Sequence, residues 1–295
     1  MSWLVPVLLR IAAAYMVAPL LVKPLVDMYP QRTLILLQFA GCFVLVLPVA
    51  LALQQFHLDW RIVAVGFGNG LAAYCYYKAI AISLSRTALF AFWDDLLAMG
   101  LSYMVLHEGQ FLNTRMLLGI ALSIGAVVGF TVHSEHSQST GEQASTRTPL
   151  RLYLYAGAYS LLLGGSVFFM RYLGVQGTGL GIFLMNWCGG IVGAALLLVL
   201  LSPDAATAFT TLSRKSLARL GGLSLVTLVA LSAAFMAYRL APQTVVQPLF
   251  LVGEMVAPAL LGLYVFAERN ALDRWEYFYF GLGLAGGLVV ALSFA

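Results

Sequence analysis

Charge is what this chain has least of. Its 16 Lys and Arg and 12 Asp and Glu make up 9% of 295 residues, against about 25% in ordinary soluble domains. Water therefore cannot be the solvent for most of the surface, and no segment is polar enough to surround a water-soluble core of its own. The basic residues stand singly between apolar runs, for a formal net charge of +4. That is the habit of membrane-flanking positions and excludes the basic stripe of a nucleic-acid binder. Cysteine is nearly absent too. Cys42, Cys75 and Cys188 each fall inside an apolar run, which excludes a disulfide framework or paired metal ligands and leaves them as small packing residues. There is no Gly-x4-Gly-Lys-Ser/Thr phosphate loop, so any energy for work must come from an ion or substrate gradient. No nucleophile, base or metal constellation stands out, and the chain reads as a non-enzyme without cofactor or metal. The stretch from Met1 to Pro24 lacks the basic start and small-residue cleavage site of a secretory leader and is long enough to span, so it reads as the first helix.

What is abundant is apolar surface: 61% of the residues are hydrophobic, in runs that recur along the whole chain. A hydrocarbon core of about 30 Å takes roughly 20 helical residues. On that ruler ten transmembrane helices are expected, over 3–24, 33–54, 61–82, 86–106, 113–132, 151–172, 179–201, 219–240, 243–266 and 275–294. The joints between the third and fourth and between the eighth and ninth are very short. Ser83, Ser85, Arg86 and Pro242 supply turn chemistry there. Residues 133–150 are polar, Ser/Thr-rich and without apolar periodicity, and read as a linker between halves 1–132 and 151–295. His133, Glu135 and His136 within it form the kind of grouping that short polar loops produce by chance, so no metal is assigned to them.

The two halves repeat. A shift of 148 lays Gln38-Phe39-Ala40-Gly41 over Asn186-Trp187-Cys188-Gly189. A shift of 160 lays Asp94 over Glu254 and Glu108 over Glu268, 161 lays Lys78 over Arg239, and 162 lays Gly119 over Gly281 and Gly125 over Gly287. Five helices per half is an odd number, so the second half enters the membrane from the opposite side. The expected fold is an all-α membrane protein with two inverted five-helix repeats around a central cavity.

At these residues the chain resembles the drug/metabolite transporter superfamily, with two EamA-type halves. The first half carries Tyr77-Lys78-Ala79-Ile80, Ser85-Arg86-Thr87-Ala88, Leu106-His107-Glu108, Gly119 and Gly125. The second carries Ala237-Tyr238-Arg239-Leu240-Ala241-Pro242, Pro248, Phe266-Ala267-Glu268, Gly281 and Gly287. Where EamA halves often begin their second helix with an arginine, this chain has Gln38 and Asn186, and Tyr15 stands where the first helix usually has a tryptophan. The resemblance implies a secondary transporter in the bacterial inner membrane, an exporter or exchanger of a small polar or amphipathic metabolite such as an amino acid. A flippase of a lipid-linked substrate with the same architecture is the alternative. Its partners would be membrane lipids, the small-molecule substrate and a coupling proton, in a monomer or homodimer.

Asp94 and Asp95, near the middle of the fourth span, and Glu254, near the middle of the ninth, are the candidate chemistry. An ionised side chain at such depth costs about 2.5–3.5 kcal/mol, so these groups face the bundle interior and serve substrate or proton, or else pair structurally with Lys78 and Arg239. Helix neighbours point about 100° apart, and Asp94, aligned with Glu254, is favoured over Asp95. Glu108 and Glu268 sit at span ends and read as caps. Tyr15, Gln38, Tyr74, Lys78, Trp93, Asn186, Trp187 and Arg239 are expected around the cavity, the repeated polar–aromatic pairs at Gln38 and Asn186-Trp187 first among them. Arg10 either joins the cavity or snorkels to the interface. Gly125 with Gly129 and Gly283 with Gly287 are small-xxx-small spacings that let helices approach closely, inside the fold or at a dimer. Connections after odd-numbered helices hold ten basic residues and the other side four, which places the termini outside; the family resemblance implies cytoplasmic termini.

Overall fold

The structure, a computed structural model, describes residues 3–52, 54–84, 87, 92–108, 113–139, 150–201, 213–266 and 274–293. The described residues contain ten helical elements and no strand. They are α1 (Leu4–Val26), α2 (Gln31–Ala52), α3 (Trp60–Ile82), α4 (Phe92–Val105), α5 (Thr114–Ser139), α6 (Leu150–Val175), α7 (Leu180–Leu200), α8 (Arg214–Leu240), α9 (Gln243–Leu260) and α10 (Arg274–Leu292). Five of them, α1, α2, α6, α7 and α8, are long and apolar enough to cross a membrane. Their outward residues, among them Val5, Leu8, Val44, Leu154, Leu161, Leu196 and Leu225, are exposed, while Asp94, Asp95 and Glu254 are buried. That inverts the distribution of a soluble domain and suits a lipid surround. Helix α5 runs on through His133 to Ser139, past the expected end of its span at 132. His133 approaches the rings of Trp275 and Tyr279, and the rest of the expected linker, 140–149, lies outside the described residues.

Local chemistry sets the helix ends. Asp59, extended at φ −115°, accepts a hydrogen bond from the Arg61 backbone N–H and caps α3. Ser213 does the same for α8 through the Ser216 N–H. Gly177, at φ +78°, turns the chain between α6 and α7 in a conformation that costs glycine nothing. Two wide π turns interrupt the helices: Ile11–Val17 within α1, just before Pro19, and Leu261–Val265 after Pro258 at the end of α9. Proline has no N–H to give the preceding turn, so the backbone ladder loosens around it.

Helices from early and late in the chain interleave. α3 packs on α6 and α7, and α8 on α1 and α2; α5 lies on α10, α2 on α7, and α4 and α9 touch each other. The close approach of α3 and α7 runs along glycines. A Cβ added at Gly66 would collide with the Trp187 carbonyl, at Gly70 with Ile191 and Ala194, and at Gly190 with the backbone of Val63 and Phe67. In lipid such contact, rather than expulsion of water, holds helices together. Of the glycines expected in pairs, Gly129 faces the Tyr279 ring while a Cβ at Gly125 would meet nothing; the tight contact on α10 is at Gly286, against Gly119 and Ser123.

α3 and α8 end alike. Each stops at an extended residue, Ser83 (φ −160°, ψ 124°) and Ala241 (φ −143°, ψ 155°), whose N–H still bonds back to the helix at Ala79 and Ala237. Each end is also held by a cation from elsewhere. Lys23 Nζ donates to the Ile80 carbonyl at 2.7 Å and lies 3.5 Å from Asp27. Arg171 Nη1 donates to the Tyr238 carbonyl, and its Nε and Nη2 reach Glu108 Oε1 at 3.2 and 3.0 Å. The last turn of a helix leaves carbonyls unpaired and carries a partial negative charge, and a cation answers both. Glu108, expected as a helix cap, is an ion-pair partner instead; Glu268 lies outside the described residues.

Candidate functional site

The first turn of α4, which carries Asp94 and Asp95 where the middle of a span was expected, and residues of α1, α3, α6, α8 and α9 bring polar groups together inside the apolar bundle. Asp94 and Asp95 on α4 are each 1% exposed and Glu254 on α9 is 8% exposed. Their carboxylate oxygens lie within 4.8 Å of one another. Asp94 has its backbone against Gly164 of α6, where an added Cβ would collide with the Asp94 carbonyl, so the glycine permits the close approach of α4. Glu254 Oε1 accepts the Tyr159 hydroxyl at 2.9 Å. Asp95 Oδ1 accepts from Gln247, which in turn accepts from the Tyr238 hydroxyl. A string of buried amides and hydroxyls then leads from Asp95 through Gln247 and Gln243 to Ser102. Asp94 Oδ1 and Asp95 Oδ2 are buried with no hydrogen-bond partner. Three carboxylates this close and this dry need compensating positive charge, from a fixed cation, a bound cationic group or protons.

The fixed cation is Arg10. It lines a cavity of about 140 Å³ together with Tyr15, Tyr76, Thr87, Tyr159, Glu254 and apolar residues of α1, α6 and α9. A second cavity of about 190 Å³ shares Arg10, Ala14, Tyr76, Tyr159 and Leu163 with the first and extends to Gln38, Asn69, Tyr77 and Thr227. Arg10 Nη2 donates to the Tyr15 hydroxyl at 3.3 Å, and its guanidinium lies 4.9 Å from the Phe250 ring centre and 5.5 Å from that of Tyr15. It enters the bundle rather than snorkelling. It makes no direct ion pair with the three carboxylates. The π turn that follows it carries Tyr15.

The remaining expected residues separate into two groups. Tyr15 and Gln38 line the cavities, with Gln38 held by the Tyr77 hydroxyl and by Thr227 Oγ1 at 2.7 Å. Asn186 and Trp187 are elsewhere. Asn186 is a latch on the α2–α3 connection: its amide donates to the His57 carbonyl at 2.7 Å and accepts the Asp59 N–H at 3.1 Å. Trp187 is fully buried, 4.9 Å from the Phe183 ring in the α7–α8 core. Lys78 and Arg32 both sit over the Tyr74 ring, and Arg239 is exposed beyond Gly174, so neither Lys78 nor Arg239 compensates the carboxylates. α3 ends at Ile82 and α8 at Leu240, a shift of 158, which puts Lys78 opposite Met236. Trp93 is partly exposed and lines an apolar groove of about 550 Å³ between α4 and α6, with Leu96, Leu97, Tyr153, Gly157, Ser160 and Leu161.

What sequence reasoning missed is Tyr76 and Tyr159 in the cavity lining and the two end-holding cations. Tyr76 and Tyr159, whose ring centres are 5.0 Å apart, form one wall of the cavity. The signal that could have found Lys23 and Arg171 was present, since they are separated by the same 148 residues that relate Gln38 and Asn186.

These features define the class: an all-helical chain with membrane-length apolar helices and a charged, tyrosine-lined interior. No family model matches the chain, and no curated protein does. Among solved structures 23 chains match it. One, a crystal structure, is 16% identical and superposes with a TM-score of 0.65 over 98% of this chain and 96% of its own. That likeness concerns the fold alone.

Proposed function

We propose that the chain is a gradient-driven transporter of a small polar or amphipathic metabolite, of the drug/metabolite transporter kind with two EamA-like halves, in a bacterial inner membrane. The observation that carries this is one cavity, inside a bundle of apolar helices, that brings together Arg10 and Glu254, with Asp94 and Asp95 behind the latter. Charges at membrane depth are costly and are retained where they handle substrate or ions. An inverted repeat of five helices each is supported by the matched ends of α3 and α8. It is further supported by Lys23 and Arg171, each near the end of the first helix of its half and holding the third helix. In an inverted repeat those two contacts lie at opposite faces of the membrane, where gates belong.

The test is alternating access. In a chain with Cys42, Cys75 and Cys188 replaced by alanine, a cysteine at Gln38 or Thr227 is expected to react with membrane-impermeant thiol reagents from both faces. Cysteines at Asn186 and Trp187 are expected to stay unreactive. Reaction from neither face at Gln38 and Thr227 contradicts the reading. A second reading, translocation of a lipid-linked substrate, draws on the apolar groove between α4 and α6. It predicts that liposomes holding the protein move a fluorescent lipid-linked sugar between leaflets, which the first reading does not.

A further inference from the structure

Arg10 is the only cation among the described residues that line the two cavities, and it is under-used. A guanidinium offers five N–H donors in a planar fork. Here Nη2 gives one bond, to Tyr15, and Nε is buried with no partner. The Phe250 and Tyr15 rings flank the group, so it is fixed in place while most of its donors go unmet by protein. A planar fork with free donors is shaped for a carboxylate or phosphate, which it can grip with two parallel hydrogen bonds. The titratable groups around it are Tyr15 on its own helix, Tyr76 and Tyr77 on α3, Asp94 and Asp95 on α4, Tyr159 on α6, Tyr238 on α8 and Glu254 on α9. Three of these are carboxylates, and Arg10 is the fixed charge nearest to offsetting them.

We propose that this cavity binds a small oxyanion-bearing molecule whose anionic group docks on Arg10, and that each molecule so bound draws one proton into the Asp94–Asp95–Glu254 cluster. The inference deepens the transporter reading by naming the substrate class and its coupling. An anion on Arg10 withdraws the positive charge that the carboxylates had, and a proton restores it. The proton comes from water on the side to which the cavity is open and resides on a carboxylate oxygen, so charge balances with no other co-reactant. By reciprocity the proton must strengthen anion binding as much as the anion strengthens proton binding. A ligand that carries its own ammonium group meets the need differently and brings no proton.

The experiment is calorimetric titration of the purified full chain in detergent with three probes that share a ring able to lie against Tyr76 and Tyr159: benzoate, benzylamine and 4-(aminomethyl)benzoate. Repeating each titration in buffers of different ionisation enthalpy counts the protons. Benzoate is expected to bind with about one proton taken up and to tighten by up to about tenfold per pH unit of acidification. The zwitterion is expected to bind with none. Arg10→Gln is expected to weaken benzoate at least about thirtyfold, and Glu254→Gln is expected to reduce the proton uptake while benzoate still binds. If Arg10→Gln fails to fold, the Glu254→Gln arm and the wild-type proton count still decide. Benzylamine binding in place of benzoate, benzoate binding with no proton uptake, or no binding by any of the three overturns the inference. Solute flux in proteoliposomes that persists under any of those outcomes leaves the transporter reading standing. Proton-linked benzoate binding without flux of any solute does the reverse.

Discussion

Replacing Arg171 by methionine is expected to destabilise the chain more than replacing Lys23, although the two cations hold matching helix ends. Arg171 meets Glu108 through two N–H groups at 3.0 and 3.2 Å, with side chains only 13% and 9% exposed, and also donates to the Tyr238 carbonyl. At that separation and an effective dielectric of about 20 the attraction is roughly 5 kcal/mol before desolvation. What matters for a deletion is the charge left behind: losing one partner of a buried pair costs about 3–5 kcal/mol. Lys23 is a weaker case. Its Asp27 partner is 3.5 Å away with its side chain 49% exposed, worth about 0–1 kcal/mol, so most of its effect is the charged hydrogen bond to Ile80, about 1.5–3 kcal/mol. The assay is unfolding of the full chain in mixed micelles, followed by tryptophan fluorescence, for Lys23→Met, Arg171→Met, Glu108→Gln and the Arg171→Met/Glu108→Gln double variant. The cycle is expected to return a coupling of at least about 1.5 kcal/mol for Arg171 with Glu108. A coupling below about 0.5 kcal/mol, or a Lys23→Met cost equal to that of Arg171→Met, refutes the reasoning.

Three further outcomes follow from contacts elsewhere. Gly190→Leu puts a side chain where even a Cβ meets the α3 backbone, and should cost at least about 1–3 kcal/mol in the same unfolding assay, more than Gly100→Leu, where a Cβ meets nothing. Asn186→Ala frees the His57 carbonyl and the Asp59 N–H; it should cost about 1–3 kcal/mol and speed proteolysis between α2 and α3, while cysteine labelling at Gln38 is unchanged. Asp59, hydrogen-bonded by the Arg61 side chain, is held below the usual carboxylate range. A depressed folded-state value means that its stabilisation is present above the unfolded-state titration and is lost as pH falls through the folded one. Asp59→Asn should therefore flatten the acid limb of the stability–pH curve without changing the limb above neutrality, and an unchanged acid limb contradicts the assignment.

The parts of this molecule written in apolar runs were legible in the sequence, and those that depend on rotation about a helix axis were less so. The helices fall close to the expected spans because length and hydropathy decide them, and α5 overran because its polar last turns continue without a glycine or proline until Gly141. Asp94 and Glu254 were marked by depth and spacing, and the structure brings their carboxylates together along with that of Asp95. Their charged neighbour was misassigned. Lys78 and Arg239 were the basic residues aligned by spacing, but counted from the ends of α3 and α8 they differ in position by three residues, almost a full turn, which preserves the face of a helix and changes the place along it. Arg10 could be counted from sequence, yet whether it turns inward depends on the Tyr15 and Phe250 rings that receive it. Asn186 and Trp187 looked like cavity residues because polar groups in apolar runs need a partner. For Asn186 the partner is the backbone of a connection 127–129 residues away, and Trp187 is a core ring against Phe183, neither of which pattern alone reveals.

The central claim, that Asp94 and Glu254 in the buried cluster govern movement of solute through the cavity, is tested most directly in proteoliposomes. A metabolite library is first screened for flux with an imposed pH gradient, and any solute that moves is then followed with Asp94→Asn and Glu254→Gln, which keep shape and remove charge. Both variants are expected to insert and unfold much as the wild type does, yet lose the dependence of flux on the pH gradient. Wild-type flux with unchanged pH dependence in both variants would contradict it and leave the carboxylates with a structural role.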